Sequence, residues 1–236
     1  MLFAALAPAA LGLLQSQSVS AYYEKDLEDA SFAAVQVSSS QRELQKINAD
    51  FARSFRFKTV QVKLKEPFKL RLESNVDDTS MLIVTNGPMQ LISVPRARIS
   101  QKTDLTGKPG RRQTSLDFGL VTPALFRDLF DAKFIRIDRA TGAAVFDLTY
   151  KPRLNDGTRH RIWIHPERKY TIRREWYSQF GGRLQATFNY EKPVSTKGVW
   201  FPTRVSVANS EGKEAGVTEY RSVVLNAGLS DDLFKI

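Results

Sequence analysis

The chain has 236 residues, of which 42% are hydrophobic and 25% charged, a composition typical of a globular protein and not of a disordered, collagen-like or coiled-coil chain. It contains no cysteine, which excludes disulfides, thiolate metal sites, iron–sulfur clusters, a cysteine nucleophile and lipid attachment through cysteine. The 35 Lys and Arg residues against 25 Asp and Glu give a net charge of +10.

The amino terminus has the pattern of a secretory signal. Residues 2–14 are uncharged and apolar, and they are too few for a membrane-spanning helix, which needs about 20 residues. A polar stretch follows and ends in Val19-Ser20-Ala21, a small-x-small pattern that predicts cleavage after Ala21. We therefore predict a signal peptide over 1–21 and a single exported domain over 22–236. No Lys or Arg precedes the apolar run, so a buried amphipathic helix is the alternative.

The first predicted elements are a strand at 31–37 and a helix at 41–54. Ser40 to Glu43 form an S-x-x-E capping box, which marks the beginning of a helix. Apolar residues then recur at helical spacing, at Leu44, Ile47, Phe51 and Phe55.

From Arg56 onward the hydrophobic period changes to two, which predicts strands. Each strand has one apolar and one polar face, as in an antiparallel sheet. The apolar positions are Val60, Val62 and Leu64, followed after Pro67 by Phe68, Leu70 and Leu72. Asn86-Gly87 between two apolar runs predicts a hairpin.

Residues 95–115 are rich in Pro, Arg and Lys and are predicted as a long exposed excursion. Thr122-Pro123 predicts the beginning of a second helix, with an apolar stripe at Leu125, Phe126, Leu129 and Phe130. The remainder predicts a meander with strands at 134–138, 144–151, 159–164, 170–177, 183–190, 199–208 and 216–225.

These elements predict an α+β fold with roughly ten or eleven strands and two helices. So many sequential antiparallel strands must curl to cover their apolar face. We expect a strongly curved antiparallel sheet, an unclosed β-barrel, with helices covering its concave face.

No pattern in the sequence indicates catalysis. The nucleophile elbow, the zinc-protease helix motif and the glycine-rich phosphate loops are missing. His160 and His165 lie five residues apart across one predicted strand, so they face opposite sides and cannot share a metal. We expect no enzyme, no metal and no cofactor.

Basic residues cluster at 96–112 and at 159–174, the second cluster beside Trp163, Trp176 and Tyr177. A basic groove with aromatic residues is one way to bind nucleic acid. The same charges also occupy the solvent-facing positions of half-buried strands, and an exported protein meets little nucleic acid. Anionic lipid or an acidic partner is the favoured interpretation.

The order of motifs along residues 40–236 resembles the LolA-type superfamily of outer-membrane lipoprotein carriers. The resemblance rests on KLKEPFKLRLES, the hairpin MLIVTNGPMQLISV, the long run from RIWIHPERKY to RVSVAN, and the ending NAGLSDDLFKI. Carriers have a basic residue directly before the proline of the first motif, and this chain has Glu66.

The resemblance implies a periplasmic carrier that takes lipoprotein acyl chains or lipid into a hydrophobic cavity. The residues expected to face that cavity are Val60, Val62, Leu64, Phe68, Leu70, Leu72, Leu125, Phe126, Leu129 and Phe130. The same residues could instead form a closed core. We expect a monomer with no nucleic acid bound, and a membrane-associated protein is a second partner class. An envelope-stress sensor or interaction module with the same fold is the alternative function. A basic nucleic-acid-binding protein is a third and less favoured function.

Overall fold

All thirteen strands of the computed structural model, which describes residues 17–76 and 79–236, belong to one antiparallel sheet. Its order is β6-β5-β4-β3-β2-β1-β13-β12-β11-β10-β9-β8-β7, so each strand pairs with its sequence neighbour except at the centre, where β1 pairs with β13. Strands β6 and β7 form the two edges. The sheet is therefore an unclosed barrel of the predicted class.

The strands are β1 Asp29–Ser39, β2 Thr59–Lys65, β3 Lys69–Val76, β4 Thr79–Asn86, β5 Met89–Val94, β6 Ile99–Asp104, β7 Phe130–Ile137, β8 Ala144–Tyr150, β9 Arg159–Ile164, β10 Thr171–Tyr177, β11 Leu184–Thr196, β12 Val199–Asn209 and β13 Glu214–Leu225. Two α-helices, α1 Gln41–Ile47 and α2 Ala49–Ser54, follow β1. A five-residue π-helical turn spans Leu125–Leu129. Short 3₁₀ turns occur at Val19–Tyr22, Pro95–Ala97, Pro109–Arg111, Ser115–Phe118, Pro152–Leu154 and Asp231–Phe234.

The predicted meander after residue 130 is confirmed strand by strand, but the predicted number of strands is too low. The strand missed most completely is β6, inside the segment predicted as an exposed excursion. Five of its six side chains are exposed, so it has no apolar alternation to reveal it. A polar edge strand of this kind also protects the sheet from pairing with other chains.

The predicted helix at 41–54 is two helices that meet at Asn48. The backbone of Asn48 is extended, and its side-chain oxygen accepts a hydrogen bond from the N–H of Phe51 at 2.6 Å. Asparagine is a strong N-cap, so the residue that ends α1 begins α2. The apolar spacing continues across this break, which is why periodicity alone indicated one helix.

The helix predicted from Thr122 is wrong in length. Helical structure covers only residues 123–129, the last five being the π-helical turn Leu125–Leu129, and Phe130 is the first residue of β7. Phe130 is paired with Tyr150 of β8, and the two ring centroids lie 4.6 Å apart. This cross-strand aromatic pair favours the extended backbone that the apolar stripe did not predict.

Residues 114–129 run along the interior of the sheet, and most of them are buried. Phe118 and Leu120 pack with core residues of β1–β3, β12 and β13, whereas Leu116, Val121 and Leu125 pack with β8 and β9. The segment therefore joins the two halves of the unclosed barrel. Most of the predicted excursion at 95–115 is exposed, as expected, and the buried residues within it are Leu105, Pro109, Thr114 and Ser115.

The predicted signal segment lies largely outside the described residues. At the predicted cleavage site, Val19–Tyr22 forms a 3₁₀ turn. Tyr22 is buried and its ring centroid lies 5.5 Å from that of Phe146 on β8. The first residue of the predicted mature chain therefore belongs to the core.

Candidate functional site

An apolar cavity of about 270 Å³ lies between α2 and the inner face of the sheet. The sheet contributes side chains from β1–β4 and β10–β13, and the segment before β2 contributes Phe57. The residues that line it are Ala34, Gln36, Phe51, Ser54, Phe55, Phe57, Val60, Val62, Leu72, Met81, Ile83, Gln113, Asp117, Phe118, Arg174, Phe188, Val205, Val207, Thr218 and Tyr220. A mainly aliphatic and aromatic lining with a few polar groups is typical of a small-molecule site.

Small side chains at the centre of the sheet provide the space. Ala34 on β1 lies between Val60 of β2 and Tyr220 of β13, its register partners. Because an alanine stands where a larger residue would fill the inner face, the side chains around it leave a void. The void is therefore set by the register of three strands that are distant in sequence.

Helix α2 covers the cavity through two phenylalanines. The rings of Phe51 and Phe55 lie 5.4 Å apart, and Phe51 also lies 5.9 Å from Phe188 of β11. The ring of Phe55 rests on Gly216 of β13, where an added Cβ would lie 2.5 Å from the ring. Glycine at this position therefore allows the helix to approach the sheet.

A second, polar pocket of about 170 Å³ adjoins the first. The two share the side chains Phe51, Gln113, Asp117, Arg174 and Phe188. The polar pocket is further lined by Gly110, Arg111, Arg112, Thr114, Leu116, Phe130, Tyr150, Thr158, His160 and Trp176. The apolar cavity therefore adjoins a pocket whose lining includes three arginines.

Arg174 stands at the boundary between the two pockets. It is 6% exposed, its Nη1 donates to Asp117 Oδ1 at 2.9 Å, and its guanidinium lies 4.3 Å from the centroid of the Phe188 ring. The other carboxylate oxygen of Asp117 accepts the backbone N–H of Thr114 at 2.8 Å. The ion pair therefore ties strand β10 to the interior segment.

Burial changes the protonation of the groups around the polar pocket. Desolvation, with the nearby charges of Arg174 and Arg159, holds the pKa of His160 well below its ordinary value. The imidazole is therefore neutral at pH 7. Burial also raises the pKa of Tyr190 to about 12, against the opposing effect of Arg174.

The ten predicted cavity residues fall into separate places. Val60, Val62 and Leu72 line the apolar cavity. Leu64 and Leu70 lie in the packed core with Phe118 and Leu120. The other five pack into a second core under the helical turn, and these are Phe68, Leu125, Phe126, Leu129 and Phe130.

Phe68 was predicted to lie in a strand, and this is wrong. It lies in the turn before β3, with a positive φ of 57°. Its backbone direction consequently differs from that of Leu70 and Leu72. This is why Phe68 packs with the helical turn rather than with those two residues.

Sequence reasoning missed the residues that cover and close the cavity. Phe51 and Phe55 had a visible signal, since their helical spacing places them on the apolar face of α2. Tyr220, Arg174 and Asp117 had none, because each occupies an ordinary position in its own segment. Only strand order brings them together.

Glu66, the residue before the proline in the first motif, is half-buried. Desolvation raises the pKa of its carboxyl group, against the opposing effects of the Ser115 and Thr122 hydroxyls and of Arg127. The chain therefore places a carboxyl group beside the interior segment where the carriers it resembles have a base.

The basic cluster at 159–174 is largely paired within the protein. Arg161 donates to Asp147 at 2.7 Å, and Arg173 donates to Glu175 at 2.8 Å. Aromatic faces nearby are covered by the chain's own guanidinium groups, with Arg159 at 3.7 Å from the Tyr177 centroid and Arg173 at 5.1 Å from that of Trp163. These contacts occupy two of the three rings that a nucleic acid would need for stacking, and the third, Trp176, lines the polar pocket.

The two histidines lie in different environments. His160 is buried, with its ring centroid 5.8 Å from that of Phe130, whereas His165 is half-buried and stacks on Tyr170 at 5.9 Å. Over residues 17–76 and 79–236, no group of three His, Asp or Glu side chains could hold a metal ion. No helix within the part of the chain that the structure describes is long and apolar enough to cross a membrane.

Sequence comparison gives little. A family model described as an uncharacterized protein matches residues 124–236. No curated protein matches the chain.

Three solved structures align over most of the chain. A domain named for outer membrane lipoprotein sorting, from Vibrio parahaemolyticus, has a TM-score of 0.62 and 11% identity over 92% of this chain and 92% of its own. A DUF1329 family protein from Desulfovibrio piger has a TM-score of 0.60 and 14% identity over 89% of this chain and 90% of its own. A LolA superfamily protein from Nitrosomonas europaea has a TM-score of 0.59 and 16% identity over 91% of this chain and 92% of its own. The unclosed thirteen-stranded sheet with helices on its inner side is therefore a LolA-like fold.

Proposed function

We propose that this protein is an exported binder and carrier of acyl chains, taking up lipid or the lipid moiety of a lipoprotein in the periplasm. The observation that carries the proposal is the apolar cavity between α2 and the sheet. Its position inside the curve of the sheet suits a ligand that must be shielded from water. The signal pattern of residues 1–21 and the lipoprotein-sorting name of one structural relative support the location and the ligand class.

The energetics favour an aliphatic occupant. Each methylene removed from water contributes about 0.8 kcal/mol, so a chain of eight carbons gains roughly 6 kcal/mol before the costs of association are subtracted. Val60, Leu72 and Ile83 already present apolar atoms to an open space, which favours such a chain.

The size of the cavity limits the cargo. An engineered cavity of about 150 Å³ holds benzene, and small-molecule sites begin at about 300 Å³. A volume of about 270 Å³ therefore admits one short chain or part of a longer one. A cargo with three chains requires displacement of α2, which rests on the sheet through Phe51 and Phe55.

The test is binding of a fluorescent fatty-acyl probe to the parent and to Val60→Trp. Val60 is half-buried and lines the cavity, so a large ring placed there should occupy the space, leave the fold intact and abolish probe binding. Val35→Trp is the matched control. Val35 is the neighbour of Ala34 on β1 and therefore faces the opposite side of the sheet, and this variant should bind the probe like the parent.

Native mass spectrometry of the protein from its producing cell identifies the cargo. Co-purified lipid or acylated peptide supports the carrier. A parent protein that never binds the probe and carries no lipid would remove the carrier function and leave only the fold.

A further inference from the structure

The polar pocket contains an excess of positive charge that the protein itself does not neutralise. Three arginines line it, Arg111, Arg112 and Arg174, against a single acidic residue, Asp117. That carboxylate is already bound by Arg174 and by the backbone of Thr114. The arginines of the pocket therefore outnumber its carboxylates, and an anionic ligand would complement them.

Three buried nitrogen atoms in this pocket have no hydrogen-bond partner among the described residues. They are Nε of Arg112, Nε of Arg174 and Nδ1 of His160. Arg174 is 6% exposed and His160 is 7% exposed, so bulk solvent does not satisfy them. Buried polar groups are nearly always paired, and leaving one unpaired costs about 1–3 kcal/mol. The two arginine nitrogens are donors and therefore lack an acceptor, whereas Nδ1 of the neutral His160 lacks a donor or an acceptor according to its tautomer.

Arg112 is the least compensated of the three. Its guanidinium lies 4.6 Å from the centroid of the Phe68 ring, and no carboxylate of the described residues lies within ion-pair distance. Burial lowers the pKa of Arg112, with Tyr150 and Asp128 opposing this effect. A half-buried cation that makes no ion-pair contact is stabilised when an anion reaches it.

The position of this cationic pocket beside the apolar cavity defines a two-part ligand. The two pockets share the side chains Arg174 and Phe188, so the end of a chain bound in one lies next to the other. We propose that the site binds a single-chain anionic amphiphile, with the chain against α2 and a phosphate or carboxylate headgroup on Arg112, Arg174 and His160. This inference rests on the proposed acyl-chain binding and names the chemistry of its ligand.

The experiment is calorimetric titration of the full chain with four ten-carbon ligands, each below its micelle concentration. These are decyl phosphate, decanoate, decanol and decyltrimethylammonium, with inorganic phosphate as a fifth ligand without a chain. Decyl phosphate and decanoate should each bind about 10-fold or more tightly than decanol, which corresponds to about 1.4 kcal/mol. The cationic amphiphile should bind more weakly than decanol, and inorganic phosphate more weakly than decyl phosphate.

Substitution of Arg112 separates the headgroup from the chain. Arg112→Gln should lower the affinity for both anionic ligands about 10-fold and leave decanol binding unchanged, since one charge-assisted contact is lost. Arg112→Lys keeps the charge and should retain a larger part of the affinity. Arg136→Gln is the control, because Arg136 is exposed on β7 and lines neither pocket.

The outcomes distinguish the two proposals. Equal affinity for decanol and the anionic ligands overturns the headgroup site and leaves acyl-chain binding intact. Inorganic phosphate binding as tightly as decyl phosphate overturns the two-part ligand. If no ten-carbon ligand binds, acyl-chain binding itself is wrong. Should Arg112→Gln fail to fold, the ligand series on the parent protein still decides between these results.

Discussion

Arg174 and Asp117, 57 positions apart in the chain, form an ion pair with Nη1 and Oδ1 separated by 2.9 Å. The arginine comes from β10 and the aspartate from the 3₁₀ turn at Ser115–Phe118, inside the sheet. Because the arginine side chain is only 7% exposed, its charge depends on this carboxylate. The pair therefore fixes the interior segment against the sheet at the boundary of the two pockets.

Asp117→Asn should destabilise the protein by about 3 kcal/mol, because it leaves the buried charge of Arg174 without its counter-ion. The matched control is Asp131→Asn, which removes the partner of Lys151 from a pair of the same 2.9 Å length with a carboxylate that is 55% exposed. That change should cost less than about 1 kcal/mol. Urea unfolding measures the free energy of unfolding of both variants. Equal losses would show that the Arg174–Asp117 pair contributes no more to stability than an exposed ion pair.

Gly216→Ala should destabilise the protein by about 1–3 kcal/mol through overpacking, since the new Cβ would lie 2.5 Å from the Phe55 ring. Combining it with Phe55→Ala should cost less than the sum of the two single changes, because the clash is then absent. Gly107→Ala is the control, as an added Cβ there meets nothing within 4 Å. Additive losses in the double variant would contradict the contact between α2 and the sheet.

Stability should fall on acidification through His160. Its folded-state pKa lies well below the ordinary value of 6.5, so below about pH 6.5 the unfolded chain binds a proton that the folded chain does not. Stability is therefore fully present above that pH and declines by up to about 1.4 kcal/mol for each further pH unit.

Urea unfolding of the parent and of His160→Gln at pH 7.5, 6.5 and 5.5 checks this dependence. The parent should lose more stability than the variant over the acidic interval. His165→Gln, which changes a half-buried ring, should behave more like the parent. A parent and a His160→Gln protein with the same pH profile would show that His160 titrates normally.

Leu70→Ala should cost about 2–5 kcal/mol and leave binding of the acyl probe unchanged, because Leu70 is 2% exposed in the packed core and does not line the cavity. Leu72→Ala, two residues along the same strand, lines the cavity and should change probe affinity. Fluorescence titration with thermal unfolding measures both properties. Loss of probe binding in a folded Leu70→Ala variant would show that the cavity extends along the same face of β3 as far as Leu70.

Export predicts that the mature protein begins at Tyr22. Amino-terminal sequencing of protein from its producing cell measures this directly. Cleavage after Ala21 keeps the packing of Tyr22 on Phe146, so the mature chain should retain the full core. An intact Met1 on protein from a cytoplasmic fraction would contradict export.

Local patterns in the sequence determined the strands with one apolar face. The two-residue period places Val62, Leu64, Leu70 and Leu72 in the interior, and all four are buried. The capping box at Ser40 determined where α1 begins, since the Ser40 hydroxyl accepts the N–H of Glu43 at 3.4 Å. These features depend on residues within a few positions of one another, so a sequence displays them directly.

The tertiary structure alone decided which buried residues face a cavity and which fill a core. Val60 and Leu64 share one face of β2, yet Val60 borders open space and Leu64 packs against other core residues. The difference arises because Ala34 lies beside Val60 in the register, and because the interior segment fills the sheet near Leu64. The polar pocket likewise depends on β10 lying opposite residues 110–117, a juxtaposition set by the order of strands. The pattern of apolar residues in the sequence predicts which side chains are buried. Whether they border a cavity depends on neighbours that are remote in the chain.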